Sequence, residues 1–155
     1  MSIDSRQVEA GLLEAVPFAR TLGIEFVEVA PEAEGAVRAV VRLPDTAEHH
    51  NHVGGPHAGA MFTLGETASG AVVLAAFGPV LDRAVPLAVK AEIAYKKVAL
   101  GPVLATARLG RPVADVLAEL DAGKRPEFPV EVEIGTEDGT VTSLLTVIWT
   151  LRPNR

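Results

Sequence analysis

The chain has 155 residues, of which 48% are hydrophobic: enough for one domain with a substantial core and too few for two independent ones. Its formal net charge is -6, its pI is near 5.2 and its lysines and arginines are scattered, so the basic footprint of a nucleic-acid binder is missing. With no cysteine there are no disulfides, thiolate nucleophiles or cysteine metal sites, which suits a reducing compartment.

The first residues, MSIDSRQVEAGLLEAV, carry charge where an export signal needs a continuous apolar run, so the sequence reads as that of a cytoplasmic protein. Val8, Leu12, Ala15 and Val16 recur at helical spacing after Ser5 and predict a short amphipathic helix over residues 6–16, outside the core and ending before Pro17. Residues 24–29 read as a strand. Residues 35–43 alternate, with Val37, Ala39, Val41 and Leu43 opposite Arg38 and Arg42, and the two strands are expected to pair through the turn Ala30-Pro31-Glu32-Ala33-Glu34-Gly35.

A polar, turn-rich loop follows over residues 44–55, and Pro56 is expected in the first turn of a helix that runs to Phe77. From His57 to Phe77 the stretch is nearly membrane-spanning in length, but it contains three glycines, Thr63, Glu66, Thr67 and Ser69. Glu66 is its one acidic or permanently basic residue, and apolar residues fall on every face, so the helix must be surrounded by other structure rather than by lipid. Downstream, residues 86–98, 103–109, 128–134 and 141–151 are β-rich, with Gly101-Pro102 and Glu137-Asp138-Gly139 as hairpin signals. Between the second and third of these, Val113, Val116, Leu117 and Leu120 predict a short extra helix over residues 112–121, closed by Gly123. One buried helix wrapped by about six mostly antiparallel strands is an α+β single domain.

The chemistry centres on Glu66, because a buried carboxylate must be paired, protonated or open to a cavity. It can serve a reaction, or merely hydrogen-bond a neighbouring strand. Nine residues earlier, Gly54-Gly55-Pro56-His57-Ala58-Gly59 begins the helix with small residues and leaves backbone N–H groups at the positive end of the helix dipole, where an oxyanion can sit. Ala58 and Glu66 are eight residues apart, about 12 Å at the usual helical rise, so one chain cannot bring both to one carbonyl. Two antiparallel helices related by a two-fold can, which predicts two shared sites in a homodimer or a dimer of dimers.

The pattern Asn51-x5-His57-Ala58-Gly59-x6-Glu66 resembles the N-x5-H-G-G-x6-D/E signature of the PaaI-like hotdog acyl-CoA thioesterases, and the extra helix with the HVGGPHAGAMFTLGE variant is similar to a DUF4442-like branch. The resemblance implies a hotdog fold, a long central helix wrapped by a curled, mostly antiparallel sheet. It also implies hydrolysis of an acyl-CoA or similar thioester without a cofactor. By position, Glu66 would be base or nucleophile, the Ala58 amide would polarise the carbonyl beside Gly59, Asn51 would orient carbonyl or water, and His57 would support the loop. The chain departs from the family at Ala58, where glycine is usual, and at Ala88, where several relatives carry Ser or Thr.

For substrate binding the candidates are Gly54 in the loop, Met61 and Phe62 along an acyl tunnel or in the core, and Lys90 and Lys96 for coenzyme A phosphates. His49, His50, His52 and His57 fall within nine residues, but a solvated loop explains them more simply than a metal site. Two other readings compete with hydrolysis: a hotdog enoyl hydratase or dehydratase, and a non-catalytic acyl-CoA-binding protein. Leu144 and Ile148, expected on the outside of the last strand, hint at further association.

Overall fold

The computed structural model describes residues 4–155; the first three residues, which belong to the stretch read above as too charged for an export signal, lie outside the described residues. Helix α1, Ser5–Ala15, is capped by the Asp4 carboxylate, which accepts from the Arg6 and Gln7 N–H groups. Asp4 rather than Ser5 supplies the cap because its side chain stands one residue before the first helical turn. Val8 and Leu12 are buried, but Ala15 and Val16 are exposed, since the chain turns at Val16 into a second helix, α2, Pro17–Thr21. Pro17 opens that helix where its missing N–H has no partner to lose, and a single turn is too short for the periodicity that revealed α1.

Six strands follow: β1 (Glu25–Pro31), β2 (Val37–Leu43), β3 (Ala84–Tyr95), β4 (Val103–Leu109), β5 (Glu127–Thr136) and β6 (Val141–Pro153). They form one sheet in the order β1-β2-β4-β5-β6-β3, and every pairing is antiparallel. β2 alternates fully, with Val37, Ala39, Val41 and Leu43 buried and Arg38 and Arg42 outward. On the outer side Arg38 pairs with Glu28, and Arg42 reaches Glu25 at 3.0 Å and Glu137 at 2.8 Å. Glu137-Asp138-Gly139 turns β5 into β6, with Gly139 at φ 88°.

Gly101-Pro102 does not make a hairpin. β3 pairs with β6 at the far edge while β4 pairs with β2 and β5, so the chain crosses the sheet at this turn. A local turn signal fixes a reversal of direction but not which strand becomes the neighbour.

Helix α3, Ala58–Phe77, lies across the concave face of this sheet, packing on β2, β4 and β5. With the turn after it, residues 58–80 are long and apolar enough to cross a membrane by composition, yet 67% of the most apolar window is buried within the fold. Gly65 marks the closest approach to the sheet: a Cβ there would lie 2.6 Å from Leu145 Cδ2 and 3.1 Å from Ile134 Cδ1. α1 covers the opposite side of α3, where Leu12 approaches Gly70 and Gly11 approaches Leu74. At the C-terminal end, Phe77 packs on Phe128 with ring centroids 4.9 Å apart. α4, Val113–Asp121, buries Val116 and Leu120, and ion pairs from Arg111 to Glu119 and Arg83 to Asp121, each 2.7 Å, both hold its last turn.

Pro56 is not in the first helical turn. α3 starts at Ala58 with His57 as its cap, and Pro56 pairs across the loop with His50 as an isolated β-bridge. The loop is closed tightly on itself: the Asn51 N–H donates to the Gly55 carbonyl at 2.8 Å and the His57 N–H to the His49 carbonyl at 2.7 Å. It is also pressed onto the crossing segment, because a Cβ on Gly55 would sit 2.2 Å from the Ala99 carbonyl oxygen.

Two substitutions test these contacts. Phe77→Ala is expected to lower unfolding free energy by about 3–5 kcal/mol in a denaturant titration, since a fully buried aromatic ring leaves a cavity. Gly55→Ala places a methyl against backbone that cannot rotate away, and a loss of about 1–3 kcal/mol in the same titration is the expected result.

Candidate active site

The site is built from the loop before α3, the first turn of that helix and the end of β3. Asn51 organises the loop. Its Oδ1 accepts from the Val53 N–H at 3.0 Å and the Gly55 N–H at 3.2 Å, and its Nδ2 donates to the Pro56 carbonyl at 3.4 Å. These bonds make the Asn51 side chain a brace of the loop, and the second N–H of its Nδ2 group has no acceptor among the described residues. Gly54 supplies the left-handed residue at the loop's bend, with φ 77°, and is exposed.

His57 caps α3: its Nδ1 accepts from the Gly59 N–H at 2.8 Å. An accepting Nδ1 puts the proton of the neutral ring on Nε2. The cap also divides the amides of the first turn. That of Gly59 is taken, whereas the Ala58 N–H has no acceptor among the described residues and stands at the positive end of a 20-residue helix. The Ala58 carbonyl is held in turn by the Tyr95 hydroxyl, which donates to it at 2.8 Å. Tyr95 therefore ties the end of β3 to the peptide unit that follows Ala58, the one whose N–H is capped by His57, while the free N–H sits in the preceding unit, whose His57 carbonyl accepts from the Met61 N–H at 3.0 Å. Tyr95 is not among the sequence candidates, because no local pattern announces a contact across 37 residues.

Glu66 lies two turns further along. At 100° per residue, Gly59, Thr63, Glu66 and Gly70 share one face, and the half-buried positions Thr63, Glu66, Gly70 and Leu74 trace that stripe. Among the described residues its carboxylate has no hydrogen-bond or ion-pair partner, and burial pushes its pKa above the ordinary glutamate range. Its backbone is fixed from the core side: the Trp149 indole N–H donates to Ser69 Oγ at 3.0 Å, and that hydroxyl donates to the Glu66 carbonyl at 2.7 Å. Ser69 and Trp149 were absent from the sequence candidates; a serine one turn after the glutamate was the available signal.

Two cavities flank the start of α3. One, of about 370 Å³, is bordered by Asn51, His52, Ala58, Met61, Lys96 and Lys97. The other, of about 470 Å³, lies on the α2 side against His57, Gly59 and Thr63. The structure thus gathers Asn51, His57, Ala58, Gly59, Met61 and Lys96 at one end of the helix. Glu66 borders neither cavity, and Phe62 is half-buried against the core. Lys90 lies six residues, about 20 Å of extended strand, from Lys96, and both border a depression of the outer sheet face with Leu144 and Ile148. Ala88 is exposed on β3 beside an irregularity in its pairing with β6.

The four histidines diverge. His50 meets Asp45 at 2.6 Å, His57 caps the helix, and His49 has a buried Nδ1 without a partner. Among the described residues no group of three or more His, Asp or Glu side chains is placed to hold a metal ion.

Known proteins share this architecture. A probable thioesterase of Pseudomonas aeruginosa superposes with a TM-score of 0.83 at 24% identity, over 99% of each chain. A thioesterase family protein of Silicibacter pomeroyi gives 0.73 at 18% identity, over 97% of this chain and 100% of its own. The Escherichia coli PaaI protein of the phenylacetic acid degradation operon gives 0.69 at 20% identity, over 97% and 94%. At these identities the likeness establishes the fold, which is the hotdog fold. No curated protein is similar enough in sequence to count as a relative. A family model described as a domain of unknown function, DUF4442, matches residues 4–151, and the chain belongs to that hotdog family.

Proposed function

We propose that the protein hydrolyses an acyl thioester, of coenzyme A or a similar carrier, at a site shared between two copies of the chain. The observation that carries this reading is the division of labour along α3: a free amide at its N-terminus and, about 12 Å away, a partnerless carboxylate whose pKa is raised by burial. The thioesterase names of several structural relatives point the same way.

β3 offers the route to a second copy. It is a 12-residue strand at the sheet edge, exposed from Ala88 to Glu92, with the small residues Ala88, Ala91 and Ala94 along it. The Tyr95–Ala58 bond fixes one end of β3 to the start of α3, and the turn after Phe77 leads directly to the other end, so strand and helix run in opposite senses. A two-fold near the middle of β3 would set two α3 helices antiparallel, each N-terminus approaching the middle of the other.

In that arrangement the thioester carbonyl accepts from the Ala58 N–H of one subunit while Glu66 of the other takes a proton from water. Water oxygen bonds to the carbonyl carbon, the oxyanion is held by the amide, the C–S bond breaks, and the proton on Glu66 passes to the departing thiolate. Glu66 acting instead as nucleophile would pass through an anhydride at the same position. Asn51 and His57 hold the loop and the cap, and so act as positioning residues for the amide. A general base contributes about 10²–10⁴-fold and an oxyanion donor about 2.7–4 kcal/mol, a sufficient set for an activated ester.

The test is release of free thiol from a panel of acyl-CoAs by wild type and Glu66→Ala. Turnover that drops about 10²–10⁴-fold in the variant supports the proposal, and equal rates in the two would end it. Loss of absorbance from an enoyl-CoA without thiol release would indicate a hydratase. Tight binding with neither signal would indicate a binding protein.

Burial of Glu66 also predicts a pH signature in stability. The folded state holds its proton more tightly than the unfolded chain, so wild-type stability falls as pH rises from the ordinary glutamate value to the raised folded one. Glu66→Gln should therefore match wild type in Tm at acid pH below that window, and exceed it at neutral pH. Melting curves at both pH values check this; a variant advantage that is the same at both would contradict it.

A further inference from the structure

We infer that the two cavities at the start of α3 divide the substrate between them, with the acyl chain in the cavity beneath α2 and its length limited by Phe18 and Leu22. This rests on the thioester reading above and adds the part of the chain that selects among substrates.

The cavities have no bordering residue in common and open on opposite sides of the first helical turn, Ala58 facing one and His57 with Gly59 the other. A carbonyl at the Ala58 amide would sit on the divide. Their chemistry differs as the two ends of an acyl thioester do. The cavity at the end of β3 carries Lys96 and Lys97 and no carboxylate, which fits a phosphorylated carrier arm. The cavity beneath α2 presents Phe18, Leu22 and Ala60 and no lysine or arginine, while Glu48 at its border opposes phosphate. Its volume of about 470 Å³ lies within the roughly 300–1,000 Å³ typical of small-molecule sites.

The wall formed by α2 is firmly placed. Ala19 is fully buried, the Thr21 hydroxyl donates to the Pro17 carbonyl at 3.2 Å, and the Ile24 N–H donates to the Ala19 carbonyl at 3.2 Å. On this anchored turn Phe18 nevertheless leaves 57% of its surface exposed, an apolar ring that an acyl chain would cover. Across from it, Thr63 stands on the same helix face as Glu66. Phe18 and Leu22 should therefore set the chain length at which added methylenes stop being buried.

The experiment measures binding of non-hydrolysable S-alkyl-CoA thioethers of increasing length by calorimetry, to wild type, Phe18→Ala and Thr63→Leu, with thiol release from the matching acyl-CoAs in parallel. Affinity should rise about fourfold per methylene and then level off. Phe18→Ala should move the levelling point to longer chains and Thr63→Leu to shorter ones, with the S-methyl compound bound equally by all three proteins. Affinity independent of length, or a levelling point that moves in neither variant, overturns the assignment. Length-dependent binding that responds to the variants without any thiol release would leave the assignment standing and refute hydrolysis. Glu66-dependent thiol release with unmoved length profiles would do the reverse.

Discussion

A helix that is apolar on every side can exist in water only if other structure covers it, and α3 is such a helix for all of its 20 residues. That requirement sets the rest of the molecule. A sheet must curl far enough to hold β2, β4 and β5 against one side, which it does with Gly65 removing the bulk that would keep helix and sheet apart. A flat sheet cannot reach the remaining face, so α1 and α2 are laid over it. Neither covers the whole stripe from Gly59 to Leu74, which stays half-buried at Thr63, Glu66 and Gly70. The candidate chemistry occupies the gap that this covering leaves.

The helix and the alternating strands were legible because each depends on its own composition. The 21 residues from His57 to Phe77 contain one carboxylate, and β2 shows its two faces residue by residue. What was not legible depends on partners distant in sequence. Gly101-Pro102 shows that the chain turns, while the choice between a hairpin and a crossing is made by β6, which claims β3 over its full length. α2 is one turn long, below the length at which a helical period can be read. At the candidate site, the spacing of Asn51, His57, Ala58 and Glu66 pointed to the loop and the helix that follows it. Their local roles followed only from geometry, because an asparagine that braces a loop and one that faces a ligand are written with the same letter.

The loop and the helix also show how a small set of residues can leave a backbone N–H group free at a helix start. His57 satisfies the amide of Gly59, whereas that of Ala58 has no acceptor among the described residues. Tyr95 then holds the carbonyl of the following peptide unit, so that the helix start is tied down on the far side of the Ala58 Cα from the free N–H. A methyl group at Ala58 costs nothing in donor strength, because the amide is backbone; its effect is confined to the space in front of that donor. On the proposed reading, the departure from glycine at this position would bear on which acyl groups fit, and much less on whether an oxyanion can be held.

The same covering that builds the fold works against the carboxylate. Ser69 and Trp149 secure the Glu66 backbone from the core side, so its side chain starts from a fixed point on the half-buried stripe. Desolvation then favours the protonated form, which raises basicity once the proton is lost. A base of this kind is unfavourable in a resting fold and useful next to a water molecule and a polarised carbonyl. A second copy docking along β3 would exclude further solvent from Glu66 while bringing an amide dipole toward it. In the proposed dimer the added desolvation would raise the cost of holding a carboxylate on an otherwise uncharged helix, and only the amide dipole brought toward Glu66 would offset it.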